Sequence, residues 1–167
     1  MKPQNRKTKG KKYEQKVADY LHEMFYEHNK TYKGVFDKYG NDQLKPRRDS
    51  SSGTFNTSVG DIELGLLSTF FPYSIECKHH EDLNLSINSI FKGEIKKVIN
   101  IYEEQCVLAS TDELKPLLVF KANRTKDFCM FSLDYIKNDC YTHTTYLKYD
   151  KYIIMLFNDF VDYYLRG

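Results

Sequence analysis

From Tyr13 onward, apolar residues return at spacings of three and four: Val17, Tyr20, Leu21, Met24 and Phe25. That spacing predicts an amphipathic helix. The preceding residues 1–12, MKPQNRKTKGKK, carry six basic residues, no acid and no apolar stripe. They read as a flexible basic arm outside a single domain of residues 13–167. Residues 46–60, PRRDSSSGTFNTSVG, are dense in Ser, Thr, Gly and Pro, and predict a long loop. DIEL at 61–64 and YSIECK at 73–78 read as strands joined across Pro72, and they pair most simply as antiparallel neighbours. A second helical stripe runs through Ile87, Ile90, Phe91, Ile95, Val98 and Tyr102, with Gly93 as a local weakness. KPLLVFKA at 115–122 predicts a buried strand, CMFSLDYI at 129–136 another, and YIIMLF at 152–157 a third, before a short terminal helix that Asn158 would cap. The order of helix, strand pair, helix and strands, without internal repeat, predicts an α/β or α+β sheet flanked by helices.

Composition changes this picture in three respects. With 41% hydrophobic residues, 14 Tyr and 11 Phe in 167 residues, the chain can build a sizeable core, which excludes disorder throughout. The net charge of +2 conceals an asymmetry. Residues 1–48 hold 13 Lys+Arg against 6 Asp+Glu, and residues 49–167 hold 12 against 17, so the positive field lies at the front. The cysteines at 77, 106, 129 and 140 form no CxxC pair, as expected of a reduced, intracellular (cytoplasmic) protein. The longest apolar run, YIIMLF, is far too short to span a bilayer, so no membrane partner is expected. Lysine outnumbers arginine 20 to 5, a bias that suits an AT-rich genome such as that of a virus or phage.

The candidate chemistry lies in SIECKHH at 74–80. Side chains alternate along a strand, so Ser74, Glu76 and Lys78 share one face while Ile75 and Cys77 share the core face. Asp61 opens the preceding strand just after Gly60. Mg²⁺ takes one or two carboxylates plus waters and substrate oxygens, and phosphodiester cleavage needs such a cation to neutralise charge and activate water. Asp61, Glu76 and the main-chain carbonyl of Cys77 are candidate ligands, with Lys78 orienting water or offsetting charge in the transition state. A cross-strand surface salt bridge is the competing explanation of this face. Glu14 lies on the inner stripe of the first helix, with Val17, Ala18, Leu21 and Phe25. An inward carboxylate needs a partner or a metal, although one near a helix start also favours the helix dipole. His79 and His80 follow Lys78, but adjacent strand residues point to opposite faces and no second ligand pair has the spacing of a zinc site. The basic arm, with Lys9, Lys11 and Lys12, and the pair Arg47 and Arg48 suit backbone phosphates. The tyrosines of the second half read as core and interface residues.

KGKKYEQKVADYL, RRDSSSG, GD and SIECK in this order resemble the PD-(D/E)xK nuclease superfamily, and within it the Holliday junction resolvases of archaeal and phage type. The resemblance spans about residues 9–122. It implies a restriction-endonuclease-like mixed central sheet flanked by helices, and a catalytic set of Glu14, Asp61, Glu76 and Lys78 around Mg²⁺, with Mn²⁺ able to substitute. It also implies a Ser-Gly pair beside the scissile phosphate, Ser52-Gly53 here, with Ser50 and Ser51 as competing registers. Gln105 matches a glutamine late in the following helix, and Gly60 stands where the motif has proline. The expected function is a Mg²⁺-dependent, structure-selective endonuclease cutting four-way DNA junctions as a homodimer, since a two-fold junction needs two symmetric incisions. The rival expectations are a restriction-like or repair nuclease acting on duplex or flapped DNA, and a nucleic-acid-binding protein with a vestigial nuclease fold.

Overall fold

A computed structural model of the protein describes residues 3–50, 60–80, 92–122, 125–136, 141–142 and 144–166, with backbone alone for residues 3–7 and 80. Helix α1 (Pro3–His28) buries Tyr13, Val17, Leu21 and Phe25, the stripe read from the sequence. It starts ten residues earlier than the stripe predicts. Arg6, Lys7, Lys9, Lys11 and Lys12 thus belong to its first turns, which straight-chain residues of good helix propensity sustain without an apolar face. Asn29 ends α1 and caps α2 (Lys30–Tyr39), its side-chain oxygen accepting from the Tyr32 N–H at 2.9 Å. The sequence pattern missed α2 because only Tyr32 is buried along its ten residues.

The long loop read at 46–60 contains a strand. Arg47–Arg48 (β1) pairs antiparallel with Ile62–Glu63 (β2) as a two-stranded sheet, in the register Arg47 to Glu63 and Arg48 to Ile62. The expected ladder between the segments at 61–64 and 73–78 is therefore corrected, because β2 is paired with β1 instead. A short 3₁₀ turn, Gly65–Thr69, then leads to β3 (Tyr73–His80). The main sheet runs β3-β4-β5-β7-β6, with β4 at Lys115–Ala122, β5 at Phe128–Ser132, β6 at Tyr146–Tyr149 and β7 at Tyr152–Leu156. Strands β3 and β4 are parallel, joined by a connection carrying α3 (Glu94–Ile101), and the other pairs are antiparallel. The segment read as a strand at 129–136 stops at Ser132, whose carbonyl accepts from the N–H groups of Tyr135 and Ile136 in a turn.

The two faces of the sheet carry two cores. Ile75, Cys77, Leu117, Val119, Cys129 and Phe131 pack against α1 and the terminal helix α4 (Phe157–Arg166). Leu118, Phe120 and Met130 pack on the other face against Ile95 and Val98 of α3 and Tyr102 and Cys106 of the π-turn that follows (Tyr102–Cys106). Ile87, Ile90 and Phe91, read as part of that helix, lie outside the described residues. Gly93 does not weaken the helix from within: at φ 89° it is the N-cap, in a backbone conformation that glycine adopts freely. Asn158 lies inside the first turn of α4 and is not its cap, since the helix begins at Phe157. Cys77, Cys106 and Cys129 are buried and form no disulfide, and Cys140 lies outside the described residues. No helix among the described residues is long and apolar enough to cross a membrane.

Candidate active site at the edge of β3

Strand β3 is an outer strand of the main sheet, and among the described residues Asp61 meets its open edge at Ile75 and Cys77. The Asp61 N–H donates to the Ile75 carbonyl at 2.7 Å, and Asp61 Oδ2 accepts from the Cys77 N–H at 2.9 Å. Asp61 thus supplies both a donor and an acceptor to the β3 backbone, as a neighbouring strand would, while being 8% exposed. Its carbonyl in turn accepts from the Asp49 N–H at 2.8 Å, tying the end of β1 to the same point. Gly60 makes this possible. It sits at φ 83°, and a Cβ there would come 2.6 Å from the Ile75 carbonyl oxygen and 2.9 Å from its nitrogen. The glycine standing in the motif's proline position is therefore a condition for placing Asp61.

Glu76 and Lys78 project from β3 on the face opposite Ile75 and Cys77 and are hydrogen-bonded to each other. Glu14 reaches the same region from α1, where its Oε2 accepts from Arg48 Nε at 2.7 Å. The side chains of Glu14 and Glu76 are each only 13% exposed. Burial pushes the pKa of Glu14 up, the charge of Asp61 pushes it further, and Arg48 and Lys78 only partly offset this. The pKa of Glu76 is raised by burial first, then by the charge of Asp61, against the pull of Lys78. Burial works against the Lys78 ammonium, yet Glu76 and Asp61 outweigh it and hold the pKa above the ordinary lysine value. Asp61, at the start of β2, thus bears on a carboxylate from α1 and on one from β3, with Arg48 turned onto Glu14 and Lys78 onto Glu76.

Among the described residues, no three His, Cys, Asp or Glu side chains already surround one point as a metal cage. Glu14 and Glu76 are drawn toward Arg48 and Lys78 instead. The donor set itself suits a hard divalent cation: it consists of carboxylate oxygens, two of which are destabilised as anions by burial and by a neighbouring acid. The Cys77 thiol, which zinc would favour, is buried in the core on the other face of β3. The His79 ring packs against Tyr13 with centroids 5.8 Å apart.

The remaining sequence candidates fall in different places. Arg47 bonds Glu63 across the β1–β2 pair at 2.6 Å. Arg48, read as a phosphate ligand, holds Glu14, a role the sequence does not signal because 34 residues separate them. Lys11 and Lys12 are exposed on the first turns of α1, and Lys9 is half-buried there. Gln105 is exposed on the π-turn, whereas Cys106 of that turn is buried close enough to Glu76 and Asp61 for their charges to raise its pKa, after burial. Ser51, Ser52 and Gly53 lie outside the described residues, and Ser50 is an exposed turn residue.

A family described as "Phage putative PDDEXK endonuclease" matches residues 5–164, well beyond the segments that carry the motif. No curated protein and no solved structure matches the chain.

Proposed function

The chain belongs to the phage PDDEXK endonuclease family, and from that premise we propose that it is a Mg²⁺-dependent, structure-selective DNA endonuclease that resolves four-way junctions as a homodimer. The nuclease assignment and the α+β fold with its mixed, helix-flanked sheet follow from the family. The observation that supports the metal-dependent part of this reading is that Asp61 lies close enough to both Glu14 and Glu76 for its charge to raise their pKa values, with Lys78 bonded to Glu76, whereas the four-way junction and the homodimer rest on the resemblance of the motifs alone. Acids with raised pKa values are costly to keep together unless a function uses them.

In this reading Asp61 and Glu76, helped by Glu14 and the Cys77 carbonyl, would hold Mg²⁺, with Mn²⁺ as a substitute. The cation supplies neutralisation of phosphate charge and a water of lowered pKa. Lys78 sits one pleat beyond Glu76, where its ammonium can hold the attacking water or offset charge building on the phosphate oxygens. Arg48 fixes the Glu14 carboxylate. Arg47, Lys9, Lys11, Lys12 and Gln105 would bear on the DNA, and Ser52 would stand by the scissile phosphate. A second copy would place a second site on the other arm of a two-fold junction.

The test is to incubate purified protein with Mg²⁺ and sequence-matched duplex, flap and four-way junction DNA, with Asp61→Ala as a control for contaminating nucleases. Paired symmetric incisions in the junction alone are expected. Preferential cutting of duplex or flap would replace the resolvase reading by a restriction or repair nuclease. Binding without any metal-dependent nicking would reduce the protein to a DNA-binding module.

A further inference from the structure

The main sheet begins on β3 and ends on β6, and among the described residues the outer edge of β6 meets no further strand. Tyr149 faces Tyr152 across a two-residue turn, and a pair flanking such a turn exchanges both backbone hydrogen bonds. Bonded and non-bonded pairs alternate along an antiparallel ladder. Leu147 therefore also bonds to Ile154, while the N–H and C=O groups of Tyr146 and Lys148 point away from β7. Those outward groups have no backbone partner among the described residues. An edge of this kind is a template for another strand.

The side chains hold the template in shape and select its partner. Leu147 is half-buried against the second core, and the Tyr146 ring packs on Tyr141 with centroids 5.0 Å apart. Tyr146, Lys148 and Tyr149 are exposed. Two copies of β6 related by a two-fold axis can pair antiparallel only with a residue opposite its own copy, because symmetry makes the pairs flanking the axis alike while the ladder alternates. With Lys148 on the axis, two ammonium groups would face each other. With Tyr146 there, Lys148 would fall opposite Thr144, outside β6. With Tyr149 there, it would fall opposite Asp150, which lies in the turn at φ 55° and cannot extend the ladder. Leu147 on the axis sets each outward Tyr146 against the outward Lys148 of the other copy. The two pairs then exchange four backbone hydrogen bonds, and each brings an ammonium beside an aromatic ring.

We propose that the outer edge of β6 pairs antiparallel with the same edge of a second copy of this chain, with Leu147 on the two-fold axis, so that the two main sheets join into one. This names an interface for the homodimer of the reading above, on which it rests, at the end of the sheet opposite the β3 site. The ladder is short, so the two copies associate reversibly.

Sedimentation equilibrium of the full-length chain, in EDTA and without DNA, reads the association over a wide range of protein concentration. Wild type is expected to show a reversible monomer–dimer equilibrium. Lys148→Pro removes an N–H that β7 does not use, and should weaken association about tenfold or more through the loss of two of the four bonds. Tyr146→Lys sets like charges opposite each other twice and should weaken it to a similar degree. Adding Lys148→Tyr to Tyr146→Lys restores the ring–ammonium pairs with their positions exchanged, and should return the affinity to near that of wild type, a rescue that misfolding of the single variant would not show. A wild-type dimer that both single variants leave intact, or an exchange that fails to restore it, overturns the β6 edge and assigns the homodimer to another face. A wild type that stays monomeric overturns the edge and the homodimer together, and cleavage of junction DNA with Mg²⁺ still tests the nuclease separately.

Discussion

At the scale of single residues, Gly60 and Lys78 separate structure from chemistry. Gly60→Ala would place a methyl 2.6 Å from the Ile75 carbonyl oxygen in a left-handed backbone conformation. Such strain costs on the order of 1–3 kcal/mol, and the segment relieves it by moving Asp61 off β3. Urea denaturation should show a loss of about that size, with a loss of Mg²⁺-dependent activity larger than the stability change explains. Normal stability and activity in this variant would mean that the β3 edge tolerates a shifted Asp61. Lys78→Ala tests the other end of the site. If the ammonium acts on the water or the transition state, single-turnover cleavage at saturating Mg²⁺ should fall by about two orders of magnitude or more, with DNA binding kept. A purely structural ion pair would cost about 1 kcal/mol or less and leave the rate near wild type. The acids and the lysine were legible in the sequence because their residue types and alternation carry the signal. The clasp of Arg48 on Glu14 was not, since nothing local links β1 to α1.

At the scale of elements, the basic start of the chain, which its composition suggests as an arm, is helical from Pro3. Residues 3–12 continue α1, so Lys9 and Lys12 recur at helical spacing and form a charged row with Lys16. Replacing Lys9, Lys11 and Lys12 together with Gln keeps the helix propensity and removes three charges. DNA binding followed against salt should show a log–log slope that falls by roughly 0.9 for each phosphate the variant no longer neutralises. An unchanged slope would place the DNA elsewhere. Strands β4 and β7 emerged at nearly their observed bounds, and so did the buried stripe of α1 though not the helix's first ten residues, because each buries a full face or both faces. Strand β1 did not, because a two-residue strand leaves no periodicity to read, and β2 was read within DIEL at 61–64 but with β3 in place of β1 as its partner. Helix α3 ends in a π-turn that carries Tyr102 and Cys106 into the second core, and the Tyr102 hydroxyl reaches the Ser132 N–H at 3.1 Å. That hydrogen bond joins residues 30 apart, and the spacing of the helix alone cannot announce it.

For the whole molecule, the carboxylate cluster links stability to pH, and the proposed cation would link it to metal as well. Glu14 and Glu76 have pKa values raised above the ordinary carboxylate value in the folded state, so the folded protein holds these protons more tightly than the unfolded chain does. Their contribution to stability is complete below the ordinary carboxylate range and is lost as pH rises through the raised values. In EDTA, the Tm of Glu76→Gln should therefore gain on that of wild type as pH is raised from about 4 to about 8. Adding Mg²⁺ near neutral pH should raise the Tm of wild type through preferential binding to the folded state, and should do little for Asp61→Ala. A wild-type Tm indifferent to Mg²⁺, with parallel pH profiles for the two proteins, would remove the cation from the site.

The sequence by itself determined the amphipathic stripes, the buried strands, the alternation that sets Glu76 and Lys78 opposite Ile75 and Cys77, and the family motif, because all of these are local consequences of side-chain order and period. Tertiary structure alone decided that Asp61 stands in for a strand at the β3 edge, that β2 pairs with β1, and that Arg48 holds Glu14. Each of these joins residues distant in the chain, and their positions are fixed by packing two cores on one sheet, which no window of neighbouring residues encodes.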